Sequence, residues 1–226
     1  SLAENEKDFD LGSLALTMKN VKEEDWANNW KKYFKPMPVG KKLLIRPTWE
    51  DEYDAGDRHV LHLEPGLAFG TGSHDTTRLC LETLETYIHG GESVLDLGCG
   101  SGILALSALL FGASTAEGVD IDDIAVKTAI ENGATNGFTE PQYKIHCGDM
   151  TEKVTGKFDV VVANIVADVI ILFCKNARQF MKDDAVFIVS GIIDTREDDV
   201  LKAFEDNAFR IEKRIESKGW LCFVLK

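Results

Sequence analysis

Cysteine is scarce in this chain: Cys80, Cys99, Cys147, Cys174 and Cys222 are scattered through 226 positions. Their number is odd and none has the spacing of a metal knuckle, which excludes a disulfide framework and a structural zinc site; no metal is expected. Unpaired thiols with apolar flanks fit a reducing compartment. Basic residues are also in short supply, 25 Lys and Arg against 38 Asp and Glu, for a net charge of −13. Phosphate contacts need dense positive charge, so no direct nucleic-acid binding is expected. Long apolar runs are missing as well. The most apolar stretch, 160–174, is interrupted by Asn164 and Asp168 and is too short and polar to span a bilayer. The first ten residues are polar and acidic rather than leader-like, and the expected location is the cytoplasm. Repeats and low-complexity tracts are absent.

What is present is a core: 44% of the residues are hydrophobic, enough for one domain plus an appendage. Residues 1–20 carry no motif beyond a weak alternation at 13–18 that reads as one strand. From Glu23 the spacing turns helical, with Trp26, Trp30, Tyr33 and Phe34 on one face until Pro36 and Pro38 end it. Lys31, Lys32, Lys35, Lys41, Lys42 and Arg46 form a basic strip without an intervening acid, either a solvated linker face or a contact for RNA or an acidic partner.

From His59 onward, strands and helices alternate. Strands are expected at 93–97, 116–120, 143–146, 159–163, 185–190 and 220–225, and helices at 75–87, 103–111, 122–136, 167–181 and 196–205. The strands are near-continuous Val/Ile/Leu runs, as in sheets buried on both faces. The fold class is therefore α/β, a doubly wound, mostly parallel, Rossmann-like sheet. Its last two strands, near 209–213 and at 220–225, lie close enough in sequence to form an antiparallel hairpin at the edge. The expected division is 1–20 as a leading remnant, 21–58 as a linker helix and strand, and 59–226 as the main domain.

The segment Val94-Leu95-Asp96-Leu97-Gly98-Cys99-Gly100-Ser101-Gly102 is a strand entering a glycine turn and then a helix. Such a turn at the carboxyl end of the first sheet strand binds nucleotide-like ligands. A dinucleotide fingerprint would need glycine where Ile103 stands. The spacing here is instead D-x-G-x-G-x-G, which looks like motif I of the class I S-adenosylmethionine-dependent methyltransferases. Gly118-Val119-Asp120-Ile121-Asp122 follows about 20 residues on, where a strand-end carboxylate accepts bonds from ribose hydroxyls. Asp120 is the choice for that role and Asp122 for the cap of the next helix. Asp149 and Met150 follow the third strand, where they either border an adenine or form a turn.

Asn164 ends the strand beside the reacting centre in this class, as amine-orienting residue or as helix cap. It is followed by Ile-Val-Ala rather than by prolines and an aromatic ring, which disfavours a flipped nucleobase as acceptor. Upstream, residues 64–77 form a glycine-rich loop entering a helix, whose N-terminus suits an anion such as the donor's carboxylate. Ser73 or Asp75 is the plain cap there, and His74 either caps the loop or contributes to the site.

On these residues the chain resembles the ribosomal protein L11 methyltransferase family. Pro65-Gly66-Leu67-Ala68-Phe69-Gly70-Thr71-Gly72 with His74 and Thr76-Thr77 carries most of the likeness. Trp26, Trp30, Trp49-Glu50, the glycine motif, Ala163-Asn164-Ile165 and Ser190-Gly191-Ile192 add to it. Where the family has His-Pro-Thr-Thr, this chain has Asp75 in place of proline. The resemblance implies a class I methyltransferase with a seven-stranded sheet, using S-adenosyl-L-methionine to methylate lysine or N-terminal amino groups of a basic ribosomal protein, without membrane association. It implies a donor site of Phe69, Gly70, Thr71, Thr77, Gly98, Gly100, Asp120, Ile121, Asp149, Met150 and Asn164. Asn164 is the catalytic residue, with His74 and Trp220 on the substrate side. It also implies that the usual leading substrate domain is represented only by a fragment. The alternatives are a small-molecule or RNA acceptor, or a non-catalytic S-adenosylmethionine-binding module.

Overall fold

Val/Ile/Leu strands become a central sheet because both of its faces are covered. In the computed structural model the described residues are 35–50, 53–64 and 72–226, the side chains of residues 150 and 151 excepted. The expected strand at 13–18, the aromatic helix face, Lys31, Lys32, Phe69, Gly70, Thr71 and the Met150 side chain lie outside them.

A small sheet comes first. Strands β1 (Met37–Val39), β2 (Leu43–Pro47) and β3 (His59–Leu63) lie in that order, β1 antiparallel and β3 parallel to β2. Leu43 pairs with His59, so the pairing crosses residue 58. Lys35–Lys226 is one compact unit.

The main sheet is built from β4 (Ser93–Leu97), β5 (Thr115–Asp120), β6 (Tyr143–Cys147), β7 (Phe158–Asn164), β8 (Met181–Ile193), β9 (Ile211–Ser217) and β10 (Trp220–Leu225). Their order is β6-β5-β4-β7-β8-β10-β9, parallel except for the antiparallel β10 and β9. The helices are α1 (Asp75–Tyr87), α2 (Ile103–Leu110), α3 (Asp123–Thr135), α4 (Met150–Lys153), α5 (Ala167–Cys174) and α6 (Glu197–Asp206).

Strand periodicity sorts the core into two layers. Val94, Val160, Val162, Val186, Ile188, Cys222 and Val224 face the side covered by α1 and α2. Leu95, Leu97, Val161, Ala163, Phe187, Val189, Leu221 and Phe223 face the side covered by α5 and α6. Hydrophobic pressure on both faces fixes register, because a slip of one residue would exchange the two sets.

Two expected elements differ. The helix expected over 167–181 stops at Cys174. The Asn176 N–H reaches back three residues to Phe173 O at 2.8 Å, and a 3₁₀ turn (Ala177–Phe180) follows. Strand β8 extends well beyond 185–190, since its first turn of charge, Lys182-Asp183-Asp184, is exposed and hides it from an apolar-run reading. The edge hairpin forms as expected. Lys218 (φ 50°) and Gly219 (φ 79°) occupy its two central positions, the conformation of a type I′ turn.

Among the described residues no helix is long and apolar enough to cross a membrane, and no group of His, Cys, Asp and Glu side chains could hold a metal ion.

Candidate active site

Successive strands run outward from β4 through β5 to β6, then return to β7 and onward to β8. The neighbours β4 and β7 therefore mark the point where the winding reverses, and their carboxyl ends leave a crevice. A cleft of about 830 Å³ opens there, a volume that suits a ligand of nucleoside size. Gly98, Gly100, Asp120, Ile121, Asp149 and Asn164 all line it, as do His74 and Trp220.

The glycine turn after β4 is strapped to the end of β5. Gly98 (φ 67°) and Gly100 (φ 53°) take left-handed conformations that a side chain would resist. The Gly98 and Cys99 N–H groups both donate to Val119 O, at 2.9 and 3.1 Å. The Gly100 N–H donates to Asp120 Oδ2 at 2.9 Å, and the Asp122 N–H to Asp120 Oδ1 at 3.0 Å. Each Asp120 oxygen thus accepts one backbone bond and retains lone pairs for a ligand. Asp122 caps α3, accepting from the Ile124 N–H at 2.9 Å, as the sequence suggests.

Asp96 is completely buried under this turn. Its Oδ2 accepts from the Ala105 N–H at 3.1 Å, and its Oδ1 has no partner among the described residues. Burial, with the Asp120 carboxylate adding, pushes its carboxyl up to about 7 against the pull of the Ala105 N–H.

Asn164 ends β7 and does not cap α5, whose cap residue is Val166. Its Nδ2 donates to Thr77 Oγ1 at 3.1 Å, while its Oδ1 is shielded and has no partner among the described residues. Thr77 is itself buried on α1 behind Asn164 and does not line the cleft. A buried carbonyl oxygen left unpaired costs free energy, so it marks a place for an incoming N–H.

His74 and Trp220 line the cleft as a ring pair. His74, rather than Ser73 or Asp75, caps α1: its Nδ1 accepts from the Thr76 N–H at 3.3 Å and lies 2.8 Å from Thr76 Oγ1. Its ring meets Trp220 edge to face, with centroids 4.9 Å apart and planes at 72°. Ile103, Leu104, Val166, Val169, Leu172 and Phe173 supply the apolar wall.

Sequence reasoning missed Asn132, a buried amide in the last turn of α3. Its Oδ1 accepts from the Glu64 N–H and its Nδ2 donates to Ser101 O, both at 3.0 Å. It ties the glycine turn to the carboxyl end of β3. Asparagine inside a helix competes for backbone bonds unless its side chain has such partners, and that was the available signal.

A nucleoside-sized crevice at the reversal of a parallel sheet, closed on one side by an antiparallel final hairpin, is the architecture of the class I methyltransferases, whose methyl donor is S-adenosylmethionine. The residues fit that donor: Asp120 has spare acceptor capacity and the glycine turn leaves room for close approach. The sequence matches the family described as "Ribosomal protein L11 methyltransferase (PrmA)" over residues 2–226. A ribosomal protein L11 methyltransferase of Caldicellulosiruptor bescii is 45% identical over 224 residues, 99% of this chain and 72% of that protein. Its counterpart in Halalkalibacterium halodurans is also 45% identical, over 97% of this chain and 70% of that protein. The crystal structure of a ribosomal protein L11 methylase from Lactobacillus delbrueckii subsp. bulgaricus superposes with a TM-score of 0.80 at 30% identity, covering 85% of this chain and 98% of that one. The chain belongs to the ribosomal protein L11 methyltransferase family, and it is an S-adenosylmethionine-dependent methyltransferase.

Proposed function

We propose that this chain methylates amino groups, lysine side chains or an N-terminal amine, of ribosomal protein L11. One observation carries the choice of an amine: Asn164 lines the cleft and has a buried Oδ1 with no partner among the described residues, while its Nδ2 is held by Thr77. An oxygen so placed accepts an amine N–H and turns the nitrogen lone pair toward the reacting carbon. The two named relatives and the solved L11 methylase support the protein substrate.

When bound, S-adenosylmethionine supplies a methyl group already activated by its sulfonium. Gly98, Gly100, Asp120, Ile121 and Asp149 would hold it along the carboxyl ends of β4, β5 and β6. The chain's main contribution is alignment. Its second is the amine's protonation state. A free lysine, with a pKa of about 10.4, is neutral only to roughly 0.04% at pH 7. The apolar wall of Val166, Val169 and Leu172 disfavours the charged ammonium and raises that fraction. The net charge of −13 attracts a basic substrate toward the surface. Solvent water takes the proton released as the amine becomes methylated.

Labelled-methyl transfer tests the reading. Incubation with purified L11, total ribosomal RNA and a small-molecule extract should place label in L11, at lysine or the N-terminus by mass spectrometry. Label in RNA or metabolites alone would overturn it, as would donor binding without turnover on any acceptor.

A further inference from the structure

Asp75 does not line the cleft, yet it touches the elements that carry both substrate-side rings. It occupies the first turn of α1, directly after the His74 cap. Its Oδ1 accepts from Arg78 Nη2 at 2.8 Å and from Ser217 Oγ at 3.4 Å. Its Oδ2 pairs with Lys218 Nζ at 3.3 Å. Arg78 Nη2 in turn donates to Ser217 Oγ at 3.0 Å, so the four side chains form one network. Ser217 and Lys218 lead into the β9–β10 turn, and Trp220 is the first residue beyond it.

We propose that Asp75 is a positioning residue that fixes Trp220 at the mouth of the cleft by fastening the turn of the final hairpin to the first turn of α1. Three features support this. Trp220 pairs directly with Ser217 across the hairpin, and Ser217 is a member of the Asp75 network, so what holds Ser217 holds the strand partner of Trp220. His74, adjacent to Asp75 in the chain, makes the ring contact with Trp220, so one helix end grips the hairpin twice. A carboxylate in the first turn of a helix is favoured by the helix dipole, which holds Asp75 charged for its two cations. The Asp75 side chain is 20% exposed but Lys218 is 77% exposed, so each ion pair alone is weak and the network as a whole sets the effect.

The consequence for turnover rests on the proposed function; the consequence for Trp220 does not. The test uses the full chain labelled with fluorotryptophan, the Trp220 line in the fluorine NMR spectrum being assigned through Trp220→Phe. In Asp75→Asn the Trp220 line should shift or broaden. High salt should move the line of the unsubstituted chain the same way. Asp75→Glu should restore it in part, and Asp198→Asn, an exposed acid on α6, should leave it in place. In kinetics Asp75→Asn should raise the acceptor KM by about fivefold, the scale of a small surface ion-pair network, with donor affinity unchanged. A Trp220 line unmoved in Asp75→Asn overturns the proposal, and so does a moved line with an unchanged acceptor KM. Failure of the proposed function shows separately, as absent methyl transfer by the unsubstituted chain; the Trp220 line then decides the role of Asp75.

Discussion

The Asn164 amide donates through Nδ2 to Thr77 Oγ1 at 3.1 Å and leaves its Oδ1 for the cleft. In the proposed reading, the threonine hydroxyl sets which end of the amide the acceptor amine meets. Asn164→Ala should lower kcat by about 100-fold, the cost of a misaligned acceptor, with little change in donor affinity. Thr77→Val should lower kcat by less, because it frees the amide to rotate without removing it. Single-turnover assays beside calorimetry separate the two terms, and unchanged turnover in Asn164→Ala would remove that residue from the mechanism.

Asp120 accepts from the glycine turn and, in the proposed reading, holds the methyl donor with the same carboxylate. Asp120→Ala should weaken donor binding by about 1–3 kcal/mol, because it strands the Gly100 N–H as well as losing the ligand contact. Asp120→Asn, which keeps one acceptor oxygen, should cost less. Titration calorimetry reads both, and equal affinity in all three proteins would exclude Asp120 from the donor site.

Asp96 predicts a pH slope. Folded, it keeps its proton up to about 7, against 3.8 as an ordinary carboxyl. Within that window the folded chain binds one proton more than the unfolded chain. Its contribution is therefore fully present below the lower value and is lost as pH rises to the upper one. Asp96→Asn should flatten that decline, so the difference in stability between variant and parent should move in the variant's favour from about pH 4 to about pH 7. Denaturant melts across this range test it, and identical slopes would refute it.

Gly191 lines the cleft with φ 87°, and a Cβ there would strike Ile165 O and stand 2.9 Å from Ile165 N. The obstacle is backbone, not the tip of a flexible side chain. Gly191→Ala should destabilise the chain by about 2 kcal/mol or more, from both the left-handed conformation and the collision. At roughly 2–4 °C per kcal/mol for a domain of this size, calorimetry should show a clearly lowered Tm. An unchanged Tm would refute the collision with the Ile165 backbone.

The doubly wound sheet was legible because its strands are buried on both faces and carry little but Val, Ile and Leu. The gathering of Gly98, Gly100 and Asp120 in one cleft was legible for a related reason: a glycine turn at one strand end and an acid at the next fall side by side once the strands are neighbours. What escaped was whatever depends on distant parts of the chain meeting. The partnership of Thr77 with Asn164 spans 87 positions, and that of Ser217 with Asp75 spans 142. Local spacing carries no sign of either. Asp75 read as a plain cap because a helix-start acid has that role by default, and only the folded hairpin supplies its cations. The break after Cys174 was hidden by an apolar pattern that continues smoothly from helix into 3₁₀ turn.

Strand β10 lies between β8 and β9, although it follows both in the chain. A ribosome must therefore deliver the middle strand of this trio last. While β9 is emerging it has no neighbour to pair with, and β8 presents an open edge. Both are satisfied only when residues 220–225 have left the exit tunnel. Trp220 arrives with that strand, so the cleft receives its final wall in the same event that seals the sheet. A nascent copy holding every residue up to β9 still has an open sheet, and its closure waits on residues 220–225 by topology alone.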